Sequence, residues 1–379
     1  MKFIPSSKTL PKLSKRIKVI LALLTLGLIM FVAWLSYDVL YKQPTFQTVN
    51  LTFTPDDKAV FEPVLPNVPV RLPKDFAFHN QFHDEEWRYF ANLVGNDGNE
   101  YTVQWNYSRI ARDEKQGRGW NSSQIYLSQT VIISRNKIWK QQRIARGGIG
   151  QAGFRLRPFR LWLDNWYWRS NNDFPLPGVL MVSSDEFSIQ LGSSANTPFL
   201  LNGEDGYLAQ HDLLPLASYG FFVPFIQASG RLVLGDKIVD VKGQAWLSKE
   251  WSSNTLAATK PQEVRISLHL EDGRSLQLNQ TRVPAYATYS YGVIINSDGT
   301  TDRLSDDDIS MSEIAPFVLD NGQSLPVKWK VSVARLGIEM IISPQHTDMW
   351  HAFYNPYWQG PVLGSGTIMG NGVLKITGF

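Results

Sequence analysis

The chain reads as an all-β protein behind one N-terminal transmembrane helix, and three observations lead there. Short segments of alternating apolar and polar residues recur between turn signals. The 379 residues include 13 Trp, 14 Tyr and 20 Phe, which favour strands and aromatic-lined interiors. No helical stripe longer than a few turns follows the first apolar run, so a sandwich or up-and-down barrel is favoured over βαβ units. The length makes two folded units the natural expectation.

The elements follow in chain order. Residues 1–18 carry Lys2, Lys8, Lys12, Lys15, Arg16 and Lys18 and no acid, a basic tail. Residues 19–37, VILALLTLGLIMFVAWLSY, are uncharged and long enough to cross the roughly 30 Å hydrocarbon layer as a helix. The cations before this span place the N-terminus in the cytoplasm, and Trp34 and Tyr37 suit the opposite interface. This predicts a single-pass protein of the inner (cytoplasmic) membrane with its body in the periplasm. A cleaved signal peptide is the competing reading, but the apolar run exceeds a typical signal core and no Ala-x-Ala-like site follows. Residues 38–72 hold Pro44, Pro55, Pro63, Pro66 and Pro69 among polar residues and read as an extended stalk.

Beyond the stalk come hairpins: EYTVQWNYS after Asn96-Asp97-Gly98, SGRLVLGDKIVDVKG around Gly235-Asp236, and VRISLHLEDGRSLQLN around Asp272-Gly273. The least regular stretch, TLAATKPQE at 255–263, is the candidate boundary between a first domain, 73–258, and a second, 259–379.

Composition excludes several functions. Zero cysteine rules out disulfides, thiolate metal sites, a cysteine nucleophile and a lipidated N-terminal Cys. The net charge of +3 belongs to the tail; its six cations set aside, 31 basic residues face 34 acidic ones, which argues against nucleic-acid binding. Between Arg135 and Arg169 nine cations accompany Asp164 alone, interleaved with aromatics, a solvated face or a patch near lipid headgroups. GxGxxG opening a helix, GxxxxGK[ST], HExxH and GxSxG are all missing. His79 and His83 near Asp84, Glu85 and Glu86 read as hydrogen-bonded pairs before they read as a metal site. No metal and no cofactor are expected.

What stands out is acids among aromatics: Glu86-Trp87-Arg88-Tyr89, Trp246-Leu247-Ser248-Lys249-Glu250-Trp251 and Tyr357-Trp358-Gln359-Gly360. On a strand, Glu86 shares a face with Arg88, and Trp246 with Ser248 and Glu250. A Glu inside an apolar cavity has its acid form favoured, as a general acid requires. The plainer alternative is a Glu neutralised by an arginine such as Arg109.

These segments resemble the lipocalin-like AttH/CrtC family of AttH-type secreted proteins and carotenoid hydratases, over nearly the whole body. FHNQFHDEEWRYFANLVG is similar to its opening motif, with Arg88 where a second Trp is usual. QIYLSQTVIIS, RLWLDNW, ASYGFFVPFIQASGRLVL with VKGQAWLSKEW, LPVKWKVSV and the closing YWQGPVLGSGTIMGNGVLKITGF resemble later blocks. The resemblance implies two consecutive lipocalin-like (calycin) barrels or half-barrels around a cavity for an apolar ligand. Ser248 stands where the family usually has Asp, Lys249 and Gln129 where it has His, and Gln359 where it has Glu. Glu250 and Glu86 are then the acids left for proton transfer.

The leading expectation is a protein that holds or hands over an apolar small molecule or lipid, anchored through residues 19–37 and associated with an ABC-transporter permease. The second is a hydratase or hydrolase-like enzyme on an isoprenoid or lipid, with Glu250 or Glu86 as general acid. In either case Trp87, Tyr89, Tyr126, Gln129, Tyr219, Trp246, Ser248, Trp251, Trp358 and Gln359 are the expected ligand contacts.

Overall fold

The computed structural model describes residues 59–113, 117, 119–253, 261–319 and 322–379, together with Arg16, Leu24, Thr25, Gly27, Leu28 and Met30, which are helical. Residues 1–52 form one compact unit and 53–379 another. The span expected at 19–37 lies mostly outside the described residues. Among those described, no helix is long and apolar enough to cross a membrane.

The described residues between 84 and 377 are antiparallel sheet joined by turns and single 3-10 turns, so the all-β expectation holds. The three hairpins form at the expected turns, where Gly98, Gly235 and Gly273 take the left-handed backbone, φ 76°, 62° and 86°, that their lack of a Cβ permits. The first sheet runs from Ile138–Arg146 at one edge through Gln124–Ser134, Glu100–Ala111, Asp84–Gly95, Lys237–Ser252 and Ala217–Leu234 to Ala152–Arg155 at the other. Ile138–Arg146 returns against Arg160–Leu163, so the sheet coils into a nearly closed barrel. The second sheet runs from Thr301–Leu304 through Ser275–Arg282, Gln262–Leu270, Gly370–Thr377 and Tyr357–Gly366 to Ile309–Val318, a half-barrel.

The first barrel is filled by its own side chains. Phe76 is wholly buried, with the rings of Trp87, Phe159, Phe174, Phe199 and Phe221 at centroid distances of 5.2–6.3 Å around it. Ring pairs at these spacings add to the area they bury. The second core gathers Leu268, Trp329, Met340 and Trp358, and Val131 and Ile133 of the first sheet join it. One face of the first sheet is therefore covered by the second.

Residues 59–72, part of the extended stalk expected at 38–72, pack on the barrel. Val70 is buried in its core and the Tyr219 hydroxyl accepts from the Leu65 amide at 2.9 Å and donates to the Leu65 carbonyl at 2.6 Å. Apolar residues between the prolines bind this segment to the body.

Candidate functional site

Strand parity sorts the charged residues of Asp84–Gly95 and Lys237–Ser252 onto two faces. Glu85, Trp87, Tyr89, Leu247, Lys249 and Trp251 point into the first barrel. Glu86, Arg88, Trp246, Ser248 and Glu250 point toward the second sheet.

The inward cluster is closed. The Glu85 carboxylate takes the Lys249 ammonium at 2.5 Å, the Arg109 guanidinium at 3.2 Å and the His79 amide at 2.8 Å, all with the Glu85, Lys249 and Arg109 side chains fully buried. Lys249 also donates to the carbonyls of Asp75, Phe76 and Ala77, and Arg109 to those of His79 and Phe82 and to Gln124. Burial works to raise the Glu85 carboxyl, but Lys249, His79 and Arg109 outweigh it and hold it far below the usual range. Each nitrogen of Lys249 and Arg109 has a partner, and the cluster ties the 3-10 turn Lys74–Phe76 over the barrel end. His79 bridges Glu85 and Asp75 and stacks on Trp251 at 4.0 Å, while His83 pairs with Asp84.

The outward cluster borders space. A cavity of about 620 Å³ lies between the sheets, with Arg88, Trp246, Ser248, Glu250, Arg265 and Lys375 in its wall. Glu86 and Glu250 are direct cross-strand partners, a like-charge pair that alone would repel. Three cations compensate. Glu250 binds Arg88 at 2.7 Å and Arg265 at 2.8 and 3.0 Å; Glu86 binds Arg88 at 3.2 Å and Lys375 at 3.5 Å. Glu263 binds Arg265 in turn at 3.1 Å. Burial works to raise Glu250, yet Arg265 and Arg88 bring it down to about 2. Glu86 is lowered likewise: Lys375, Arg88 and Arg265 overcome burial and the repulsion of Glu250. Gly220 sits opposite Glu250 in the ladder, and a Cβ there would come within 2.5 Å of the Lys249 carbonyl, so the close approach requires glycine.

The structure divides the sequence-predicted residues. Trp246, Ser248, Glu250 and Gln359 reach the cavity wall, and Glu86 stands just behind it in the ion network. Gln129 is buried on the same face of the first sheet as Val131, outside the cavity lining. Tyr89 touches the cavity only along its strand; its ring packs edge-on to Trp168 inside the barrel and its hydroxyl pairs with Ser193. Trp87, Tyr126, Tyr219 and Trp251 are packed among the first barrel's aromatics, and Trp358 is buried in the second core with its Nε1 donating to Thr347. The side chains of the first sheet face away because they have the opposite parity to Glu86 and Glu250, and Trp358 has the opposite parity to Gln359. The plainer pairing for Glu250 also differs in partner: Arg88 and Arg265 hold it, while Arg109 holds Glu85. An apolar cavity that protonates a Glu is not what these carboxyls meet, since cations line it.

Sequence reasoning saw Glu85 only as a hydrogen-bonding neighbour of the histidines, a pairing that His79 makes, and passed over Arg265 and Lys375. Parity alone separates Glu85 from Glu86. Arg265 and Lys375 stand as single cations in otherwise apolar strands, VRISLHL and VLKITG, and that is the only local signal they carry.

The fold is shared with solved structures. A protein assigned as AttH from Nitrosomonas europaea superposes with a TM-score of 0.73 at 24% identity, covering 84% of this chain and 100% of its own. Kievitone hydratase from Nectria haematococca superposes at 0.63 and 12% identity, covering 86% of this chain and 97% of its own. Among curated proteins none matches the chain. The model of the family described as AttH-like matches residues 63–379, from the segment that packs on the first barrel to the last strand of the second sheet, and the chain belongs to that family.

Proposed function

We propose that the chain binds a small molecule with a largely apolar body in the cavity between its sheets, and holds or hands it over without transforming it. One observation carries this reading. The carboxylate in the cavity wall, Glu250, is clamped as an anion by Arg88 and Arg265, and a group held ionised down to about 2 has no proton to give near neutral pH. The Trp246 ring in the same wall suits an apolar body.

A hydratase or hydrolase-like enzyme on an isoprenoid or lipid is the second reading, and its support is the register. Glu86 and Glu250 face each other across the ladder, so a ligand that drew one cation away would push one carboxyl up toward a usable general acid. The likeness to kievitone hydratase supports the fold of such an enzyme and no residue roles.

The proposal includes an anchor through residues 19–37, a cytoplasmic N-terminus, a periplasmic body and a transporter permease as recipient. Its support is the charge asymmetry around the apolar run. A C-terminal reporter active only outside the cytoplasm is expected, and a cytoplasmic C-terminus overturns the topology.

Native mass spectrometry of the detergent-extracted chain tests the binding reading. A retained small molecule is expected, lost in Trp246→Ala. A chain that carries nothing and whose Trp fluorescence no apolar probe changes refutes it. Turnover of the retained molecule that disappears in Glu250→Gln replaces it with the enzyme reading.

A further inference from the structure

Two sheets that meet through polar side chains must satisfy them, because an unpaired buried acceptor costs about 1–3 kcal/mol. The seam beside the cavity breaks this rule four times within one cluster. Gln104 and Asn106 on Glu100–Ala111 face Tyr357 and Gln359 on Tyr357–Gly366, with His351 beside them. Gln104, Asn106, His351 and Gln359 are each at most 5% exposed. Gln104 Oε1, Asn106 Oδ1, Gln359 Oε1 and His351 Nδ1 are buried with no hydrogen-bond partner among the described residues.

The surrounding bonds say what these atoms are. Gln104 Nε2 donates to the Gln359 carbonyl at 3.4 Å, which leaves its Oε1 as the free atom. His351 Nε2 lies 2.9 Å from the same carbonyl, which can only accept, so the ring proton is on Nε2 and Nδ1 is a lone pair. Asn106 Nδ2 donates to the Tyr357 hydroxyl at 3.2 Å, leaving Oδ1. These bonds fix Gln104 and His351 as acceptors, and Asn106 and Gln359 stand with their oxygens unpaired beside them. Asn106 and Gln359 belong to the cavity lining with their oxygens buried just behind its surface, where a turn of either carboxamide would present them to a ligand, and Gln104 and His351 are bonded behind Gln359.

We infer that this end of the cavity recognises a neutral hydroxyl on the bound molecule, with the Asn106 and Gln359 carboxamide oxygens as acceptors. The inference rests on the cavity reading above and deepens it to a ligand class: an apolar alcohol or phenol. A carboxylate or phosphate is mismatched to this end because it brings no donor for these oxygens. An ammonium is disfavoured because Arg88, Arg265 and Lys375 share the wall.

Quenching of Trp fluorescence by 2-naphthol and by naphthalene tests this, since the two probes differ by one hydroxyl. The wild-type chain is expected to bind naphthol about tenfold tighter, the ratio one good hydrogen bond supports. Gln359→Met and Asn106→Leu, which keep volume and remove the oxygens, are expected to bring the ratio to about one. A structural role for these residues would change both affinities together and leave the ratio. Equal affinity of the two probes for the wild type, or a preference surviving both substitutions, overturns the inference and leaves the cavity reading standing. Binding of neither probe overturns both. Should one variant fail to fold, the other decides.

Discussion

Glu85 and Glu86 are neighbours in sequence and differ in almost everything a carboxylate can experience. Glu85 is sealed inside a filled barrel, its oxygens taken by Lys249, Arg109 and His79. Glu86 and its ladder partner Glu250, with side chains 26% and 15% exposed, stand at a cavity and share three cations between them. One step along a strand moves a charge from a place where it can only hold the fold to a place where a ligand can reach it. Charge and residue type do not distinguish the two sites; what encloses them does.

The largest effect is expected on the sealed side. Glu85→Gln leaves the Lys249 and Arg109 charges buried without their counter-ion, which typically costs about 3–5 kcal/mol. Denaturant unfolding should show a loss of that size with the midpoint falling at unchanged slope. A change under about 1 kcal/mol would mean that the carbonyls around Lys249 suffice without Glu85, and the contrast between the two faces would collapse.

Acid titration sharpens the comparison through the seam. Burial holds His269 and His351 down at about 4, against backbone hydrogen bonds that work to raise them. Both are neutral in the fold, while in the unfolded chain they take a proton below about 6.5. The stability this represents is present above pH 6.5 and is lost as pH falls from 6.5 to 4, on the order of 3 kcal/mol for each. Glu250, lowered from 4.5 to about 2, adds a second loss as pH falls from 4.5 to 2. Thermal melts across this range should descend in two stages. His351→Gln should remove about half of the upper stage, because the two histidines shift alike. An upper stage unaltered by that change would show that His351 is not held neutral.

On the cavity side the expected loss is smaller. Glu250→Gln leaves Arg88 with Glu86 and Arg265 with Glu263, so neither cation is stranded. A cost of about 1–2 kcal/mol is expected from calorimetry, below that of Glu85→Gln. Costs that are equal would place Glu250 with the structural charges.

Much of this was legible before the fold was known. The hairpins follow from Asn96-Asp97-Gly98, Gly235-Asp236 and Asp272-Gly273, because the turn needs a residue free to take positive φ. The common face of Glu86 and Arg88, and of Trp246, Ser248 and Glu250, follows from strand parity. What local sequence could not supply is the covering layer. Arg265 and Lys375 lie in strands of the second sheet, and their contacts with Glu250 and Glu86 span 15 and 289 residues. The filling of the barrel by Phe76 also escapes local reading, since that ring enters from a 3-10 turn outside the sheet. Trp87 and Tyr89 share the motif of Glu86 but not its parity. Parity, applied as strictly to the aromatics as to the acids, would have turned them inward.

The smallest effect is expected at Ser248, and it separates the two properties that the cavity face combines. Its hydroxyl accepts from Arg88 Nε at 3.4 Å, near the outer limit for such a bond, and Arg88 is already held by Glu86 and Glu250. Ser248→Ala therefore removes a weak third contact from a guanidinium with two carboxylates, and a stability change below about 0.5 kcal/mol is expected. Ser248 nevertheless lines the cavity beside Trp246 and Glu250, so its loss should register in ligand retention by native mass spectrometry while the melting temperature stays put. On the sealed face no substitution of this kind can exist, because Glu85, Lys249 and Arg109 meet only protein. A Ser248→Ala variant that melts several degrees lower and retains ligand unchanged would mean that the cavity wall is held as tightly as the barrel interior, and that the distinction between the faces is one of position alone.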